Sequence, residues 1–457
     1  MNRVQLKYLA IFLSAVTFPA TVLATNGYFT HGVSTAEKGI AGAGVAYSQD
    51  TLAAANNPAG MVWQGASFDV GATVFSPMRE YTATGGAPGC NPVTGQCPFT
   101  VGNPFTAGNQ NIESDNEAFL IPHFGYNWVL DPDRTIGISV YGNGGMNTEY
   151  KGGEATFYPM GPPGGPLTLD GTFGDGTAGV DLSQLFVSTT YSAKAGANTS
   201  WGVSAIVAYQ RFEAKGLGNF AGFSSDPDNL SNNDHDTATG IGVRLGLQTE
   251  VSPGFRIGAA YQPKIDMSEF DDYSGLFADD GDFDIPSNFT VGLTVDVGAN
   301  GMLFLDYQQI NYEDVDAVSN SIGGLLDNCL DATFSPTGDG CLGASDGAGF
   351  GWEDMQIVKL GYQWVSGKNT WRVGYSTTDQ PIPKEETLFN ILAPGVIEEH
   401  FTFGFTRELD AKSSIDFAAM YAPSVSVKGK SAFDPFQDIE LEMDQYELSF
   451  SYSRRVE

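Results

Sequence analysis

Four cysteines and four histidines are the side chains of this 457-residue sequence best suited to bind a metal or form covalent bonds. Cys90 and Cys97 are separated by six residues, and Cys329 and Cys341 by eleven. No histidine stands beside either pair, which disfavours a zinc site. Close cysteine pairs in an exported chain instead predict two disulfides, each stapling one loop.

Catalytic and cofactor motifs are weak in this sequence. No Ser-His-Asp set can be assembled from the spacing around His123, His235 or His400. Gly39, Gly42 and Gly44 lack the preceding strand and the glycine order of a dinucleotide-binding loop. Aspartate runs at 226–236 and 279–284 could attract calcium, but neither has the EF-hand pattern, and a solvated acidic surface is the simpler interpretation. We therefore expect no enzyme activity, no metal and no cofactor.

The composition excludes several other classes of protein. The formal net charge of -32 repels phosphate backbones and argues against nucleic-acid binding. An aromatic content of 12% is too high for a disordered acidic chain. The 57 glycines, together with a charged fraction of only 17%, are also unusual for a compact α/β enzyme.

The first 24 residues predict a secretory signal peptide. Arg3 and Lys7 precede an apolar run at 8–18, and small residues follow up to Ala24, where cleavage is expected. The apolar run is too short for a membrane-spanning helix. Residues 1–24 are therefore expected to be removed on export.

Apolar and polar residues alternate with a period of two along most of the chain. Phe289, Val291 and Leu293 alternate with Thr290 and Gly292, and similar runs recur up to 446–452. Short polar connections, such as 131–134 and 298–301, take turns with long ones, at 82–116, 151–179, 215–236, 271–284, 315–352, 380–395 and 428–440. They delimit fourteen strands, the first at about 66–81. An even number of antiparallel strands with short turns at one end and long loops at the other predicts a transmembrane β-barrel at 65–457.

Residues 25–64 do not alternate and are rich in glycine and alanine, including Gly42 and Gly44. Such small side chains cannot form a core of their own, but they allow close packing inside another structure. The segment is therefore predicted to plug the barrel lumen.

Two stretches resemble a known family. Residues 26–46 and 50–60, which include the triplet Asn57, Pro58 and Ala59, resemble the hatch of the FadL/TodX family of outer-membrane transporters for hydrophobic compounds. Residues 141–150 provide a second match. The resemblance implies a monomeric, 14-stranded all-β barrel in the bacterial outer membrane, with a hatch at 25–64. It also implies contact with outer-membrane lipid and lipopolysaccharide, insertion by the barrel assembly machinery, and a hydrophobic small-molecule ligand.

The resemblance further implies that the ligand leaves sideways through an opening in the barrel wall. Gly142, Asn143, Gly144 and Gly145 are the candidates for this opening, because clustered glycines in a strand mark a bulge or bend. The alternative is that these glycines merely begin a loop.

Candidate ligand-binding residues are drawn from the hatch and the long loops. The apolar candidates are Tyr28, Phe29, Leu217, Phe220, Phe223, Leu276 and Phe277, although the loop residues could equally pack the loops together. Arg211, Lys215 and Lys264 could bind a ligand carboxylate or form ordinary ion pairs. Long-chain fatty acids and hydrocarbons are the expected ligands. A general porin or a structural adhesin barrel without a specific ligand is the alternative function.

Overall fold

The computed structural model describes residues 26–86, 105–157, 167–330 and 335–456. The predicted signal peptide at 1–24 and the predicted disulfide between Cys90 and Cys97 lie outside the described residues.

Fourteen long strands form one closed antiparallel barrel in the described chain, because each pairs with its neighbours and the first also pairs with the last. The strands are β1 Ser67–Gly85, β4 Phe119–Asp131, β5 Arg134–Asn147, β8 Gly179–Lys194, β9 Thr199–Lys215, β10 Asp236–Ser252, β11 Phe255–Gln262, β12 Asn288–Val297, β13 Gly301–Ile310, β14 Met355–Ser366, β15 Asn369–Thr377, β16 Glu399–Glu408, β17 Ser413–Lys430 and β18 Gln437–Arg455. The predicted all-β, 14-stranded fold is confirmed.

Four short strands belong to the outer loops. β2 Phe105–Ala107, β6 Glu154–Phe157 and β7 Leu167–Asp170 form a small sheet of their own, and β3 Gln110–Glu113 pairs with the end of β1.

The outer and inner faces of the barrel wall differ in polarity, as the alternation of apolar and polar residues predicts. On β10, Ile241 points outward and is 82% exposed, whereas Arg244 points inward and is 8% exposed. Asp306 and Lys359 are likewise buried inside the barrel. The outer surface is therefore apolar and the lumen holds the charged groups, as expected of a lipid-facing wall.

Two predicted strand boundaries were wrong. β1 continues to Gly85 rather than ending near Tyr81, and the connection predicted at 428–440 is only residues 431–436. β17 and β18 extend further because charged side chains pair across them: Lys430 lies 2.6 Å from Asp438. At this end of the sheet the outward face carries polar cross-strand pairs, whereas Ile439 and Leu441 are buried on the inner face.

The helical segments are all short. The α-helices are Thr35–Lys38, Ala53–Asn56, Ala278–Gly281, Asp316–Ser319 and Gly323–Asn328, and the 3-10 helices are Pro58–Trp63, Gly218–Phe223, Pro227–Asn229, Asp271–Tyr273, Tyr312–Asp314, Lys384–Glu386 and Phe389–Ile391. In the described ranges, none of the helices has the length and apolar character needed to cross a membrane.

Candidate functional site

The hatch, residues 26–64 of the described chain, fills the barrel lumen and is held there by polar contacts to the wall. The Lys38 ammonium lies 2.7 Å from a carboxylate oxygen of Glu447 on β18. Asp306 on β13 accepts hydrogen bonds from the backbone amides of Gly44 and Val45, at 2.7 and 2.9 Å. Such bonds fix both the depth and the rotation of the hatch inside the barrel.

The predicted hatch residues occupy tight positions. Asn57 caps the 3-10 helix Pro58–Trp63 by accepting a hydrogen bond from the amide of Ala59, and its Nδ2 donates to the carbonyl of Val45 at 2.6 Å. Gly42 has a φ of +73°, and a Cβ there would lie 1.6 Å from the carbonyl oxygen of His31. Only glycine fits at this turn.

The barrel wall is incompletely bonded between β4 and β5. Their ladder ends at the pair Phe124 and Val140, although β5 continues through residues 141–147. On the other side of β5, the ladder with β8 shifts register between Gly142 and Gly144, so that Asn143 bulges. The four predicted opening residues therefore lie where β5 has left β4, and we refer to this stretch as the wall gap.

The start of the hatch bonds to the strand that borders the wall gap. The Thr30 amide donates to the carbonyl of Asn143 at 3.1 Å, and the Gly145 amide donates to the carbonyl of Tyr28 at 2.8 Å. A Cβ at Gly144 would lie 2.2 Å from the Tyr28 carbonyl oxygen. Hatch and wall are thus in direct contact at the gap.

Aromatic side chains from the outer loops enclose Tyr28. Its ring centroid lies 5.1 Å from that of Tyr312 and 6.0 Å from that of Trp352. Tyr312 accepts a hydrogen bond from the Tyr28 amide and donates one to the carbonyl of Asn26. Burial raises the pKa of the Tyr312 hydroxyl, which keeps the donated proton in place. Tyr312 and Trp352 were not predicted, because they lie in the long connection between β13 and β14, which has no periodicity.

The long loops enclose an apolar space that we call the outer cavity, of about 440 Å³ with its open mouth included. Four of the predicted ligand-binding residues line it together: Leu217, Phe220, Leu276 and Phe277. Phe223 lies next to this group, with its ring 5.7 Å from that of Phe433.

The loop after β13 covers part of the outer cavity. Cys329 and Cys341 form a disulfide in this loop. The amide of the adjacent Leu342 donates to the carbonyl of Phe223 at 3.0 Å. The disulfide thus staples a segment that forms one wall of the cavity.

A second apolar space, the inner cavity, lies beside the wall gap and measures about 330 Å³ with its open mouth included. Leu392 lines both cavities, whereas Gly145 and Met146 of β5 line only the inner one. Other residues around the inner cavity are Gly27, Phe75, Arg79, Asn147, Thr148, Trp352, Ala393, Pro394, Gly395 and Met443. The two cavities therefore follow one another from the outer loops toward the gap.

A third cavity, of about 570 Å³, lies in the lumen against residues 29–33 of the hatch. Its lining is mainly polar and includes Glu37, Arg244 and Lys359. This lining is less favourable for an apolar molecule than the linings of the outer and inner cavities.

Solved structures share this architecture, although the sequence matches no family model and no curated protein. The P. putida toluene transporter TodX is 17% identical, with 93% of this chain and 99% of that chain covered at a TM-score of 0.61. A Pseudomonas aeruginosa FadL homologue is 15% identical, with 94% and 99% covered at 0.62. The Ralstonia pickettii toluene transporter TbuX is 17% identical, with 93% and 99% covered at 0.56.

The chain has the FadL/TodX fold. At such low sequence identity, the similarity to these structures shows a shared fold and does not assign roles to individual residues.

The three predicted cationic residues lie at the outer end of the FadL/TodX barrel, each beside an acidic group. Arg211 is 3.8 Å from Asp181, and Lys215 is 3.0 Å from Glu213. Lys264 lies 2.5 Å from Asp284 and does not line either apolar cavity. Their role in binding a carboxylate stays a prediction.

One short motif lies in the loop that carries the disulfide. Residues 343–347 match the G-x-S-x-G pattern of hydrolase nucleophiles, but Ser345 has no strand directly before it and no helix directly after it. The pattern therefore lacks the strand–turn–helix context that exposes a nucleophile. In the described parts of the chain, no three His, Cys, Asp or Glu side chains converge to hold a metal ion.

Proposed function

We propose that the protein is an outer-membrane transporter that takes up hydrophobic small molecules, such as long-chain fatty acids or hydrocarbons. In this proposal the ligand passes from the outer cavity to the inner cavity and leaves sideways through the wall gap into the membrane. The observation that carries the proposal is a pair of neighbouring apolar cavities that share the lining residue Leu392, the second of which reaches residues 145 and 146 of β5. In this proposal the barrel acts as a monomer in contact with lipopolysaccharide.

The energetics favour this route over passage through the lumen. An apolar molecule gains about 25 cal/mol for each Å² of surface removed from water. The two apolar cavities and the acyl chains of the membrane both keep the surface of the molecule out of water. In the polar third cavity this favourable free energy would be lost. No energy source is then required, because movement follows the concentration gradient.

The first hatch residues, 28–30, which we call the hatch start, are placed to control the wall gap. Opening requires breaking the bonds that join Tyr28 and Thr30 to β5, and each backbone hydrogen bond contributes only about 1 kcal/mol net. The rest of the hatch is held by the buried ion pair of Lys38 and Glu447 and by hydrogen bonds to Asp306, and it can stay in place. Local displacement of the hatch start is thus cheaper than removal of the hatch.

Two measurements test the proposal against a general porin. Uptake of a labelled long-chain fatty acid and of a hydrocarbon is measured in a Gram-negative host that lacks its own transporter for them. Conductance of the purified protein is measured in planar bilayers. We expect uptake of a hydrophobic compound with little steady current. A large steady current without hydrophobic uptake would overturn the proposal in favour of an open pore.

A further inference from the structure

Two buried cationic side chains line the third cavity from different strands of the barrel wall. Arg244 of β10 is 8% exposed and Lys359 of β14 is 5% exposed. Among the described residues, no Asp or Glu oxygen lies within 4.0 Å of either charged group. Arg244 donates to the neutral Oε1 of Gln262 at 2.7 Å. Lys359 donates to the carbonyl of His31 at 3.1 Å. The cavity therefore contains two positive charges without a close counter-ion, which is costly in a buried site.

The carboxylate of Asp306 does not neutralise this pair of charges. Asp306 pairs with Lys359 in the ladder between β13 and β14. Its Oδ2 instead accepts hydrogen bonds from the amides of Gly44 and Val45 in the hatch. Even if its charge is counted in full, it offsets only one of the two cations.

Glu37 is the only carboxylate among the described residues that line the third cavity, and it has a structural role in the hatch. Ser34, the N-cap of the helix Thr35–Lys38, accepts a hydrogen bond from the Glu37 amide at 3.1 Å. The Ser34 amide in turn binds the Glu37 carboxylate, which completes a capping box. Burial raises the pKa of Glu37 to about 7, so that about half of its charge is absent at neutral pH. A positive excess thus remains at the cavity.

Neutral groups at the same cavity offer both donors and an acceptor. The Nδ2 of Asn288 is buried and has no hydrogen-bond partner, and the side chain is only 6% exposed. The buried ring nitrogens of His31 also have none, and a neutral imidazole carries one N–H donor. On the acceptor side, the buried Oε1 of Gln308 is likewise without a partner. These groups match an oxyanion that still carries a proton.

We propose that the third cavity binds a small protonated oxyanion, of which inorganic phosphate is the example, with Arg244 and Lys359 as its charged ligands. Phosphate keeps a proton at neutral pH for the Gln308 oxygen, whereas sulfate does not. The anion connects wall strands β10, β12 and β14 to residues 29–33 of the hatch, and it thereby stabilises the position of the hatch. This inference goes beyond the proposed function, because the proposed uptake route uses only the outer and inner cavities.

The test measures anion binding by calorimetry on the full mature protein in nanodiscs of zwitterionic lipid. Phosphate and sulfate are titrated at the same ionic strength. We expect saturable binding of phosphate that is tighter than that of sulfate. Arg244→Gln and Lys359→Gln should each weaken phosphate binding at least about tenfold, because hydrogen bonds to charged groups are the strong ones. The control is Arg256→Gln, since Arg256 pairs with Asp296 at 2.8 Å and does not line the cavity; its affinity should stay within about twofold.

A second measurement uses only the unmodified protein and therefore decides the case if the cavity variants do not fold. Amide hydrogen exchange at residues 29–33 should slow when phosphate replaces chloride at equal ionic strength, because a ligand stabilises the state that binds it. Unchanged exchange would contradict the bridge between hatch and wall.

Three results of the calorimetry would overturn the proposal. They are no saturable phosphate binding by the unmodified protein, unchanged affinity in the folded Arg244→Gln and Lys359→Gln variants, and sulfate binding as tight as that of phosphate. Uptake of hydrophobic compounds is a separate measurement. Its failure would count against the transporter proposal and leave the anion site intact.

Discussion

The backbone carbonyl of Tyr28 accepts a hydrogen bond from the amide of Gly145 at 2.8 Å. This bond joins the first described part of the hatch to β5 just where β5 has separated from β4. Any movement that widens the gap at this level has to strain or break it. Hatch position and gap width are therefore coupled through one short stretch of backbone.

Replacing Gly144 by valine should detach the hatch start while leaving the barrel folded. The new Cβ would lie 2.2 Å from the Tyr28 carbonyl oxygen, so residues 28–30 have to move away. We expect amide hydrogen exchange at residues 28–30 to become at least about tenfold faster. Gly324→Val is the control, since its Cβ would meet only the Asp346 carbonyl oxygen, at 3.7 Å. Unchanged protection in Gly144→Val would refute the coupling.

Replacing Gly142 by leucine should block the wall gap itself. A Cβ at this position already lies 3.0 Å from Cγ2 of Ile121 on β4, so a larger side chain fills the space between the strands. We expect uptake to fall at least about tenfold, because the added side chain occupies the proposed exit. Heat-modifiable electrophoretic mobility should remain that of a folded barrel. Normal uptake by the folded variant would exclude lateral exit at this site.

The buried ion pair of Lys38 and Glu447 should be a major anchor of the hatch. Lys38→Met leaves a buried carboxylate without its partner and should lower the free energy of unfolding by about 3–5 kcal/mol. Adding Glu447→Gln should restore part of this loss. The exposed pair Lys430 and Asp438 is the control, because Lys430→Met should cost less than about 1 kcal/mol. Denaturant unfolding in micelles gives these values, and equal losses in both single variants would argue against the anchor.

Leu276→Ala should weaken binding of every apolar ligand to a similar extent. Leu276 is partly buried and lines the outer cavity, so truncation removes apolar contact without touching a charge. We expect about tenfold weaker binding of both dodecanoate and its methyl ester. Leu326→Ala, at a leucine that is 42% exposed, should have no effect. Loss of acid binding alone would show that Leu276 does not contact the acyl chain.

The outer loop at 263–287 should become easier to open as the pH rises. Burial, followed by the hydrogen bond and charge of Asp284, raises the pKa of Asp282 from 3.8 to about 7. The folded loop thus keeps a proton that the unfolded loop releases, and the stability this provides is lost between about pH 4 and about pH 7. Protection factors for residues 271–284, corrected for intrinsic exchange, should fall across this window. Asp282→Asn should remove the dependence, whereas the exposed Asp280→Asn should retain it.

The barrel wall was predictable because two different solvents act on it. Val291 and Leu293 face outward on β12 while Thr290 and Thr294 face the lumen, so alternation records the fold directly. The outer ends of β17 and β18 were missed because their outward face meets water instead of lipid, although Ile439 and Leu441 are buried on the inner face. Outward charged pairs such as Lys428 with Glu440 resemble a loop in the sequence.

The site was predictable only in part. Leu217 and Phe220 were identifiable because apolar residues are conspicuous inside polar loops, and the structure places them in one cavity. Arg79 was missed because any arginine on an alternating strand reads as an ordinary lumenal charge. Its place in the lining of the inner cavity depends on the fold, and no local pattern contains that information.

The β1–β18 ladder, which pairs Ser67 with Arg455 and Gly85 with Gln437, has a consequence for biogenesis. The seam joins two strands separated by nearly the whole sequence, so the cylinder cannot be sealed before synthesis of the last strand is finished. Until then both strands expose free edges that invite wrong pairing. Contacts between such distant segments also form slowly. The newly made chain therefore has to be protected from wrong strand pairing until β1 and β18 have paired.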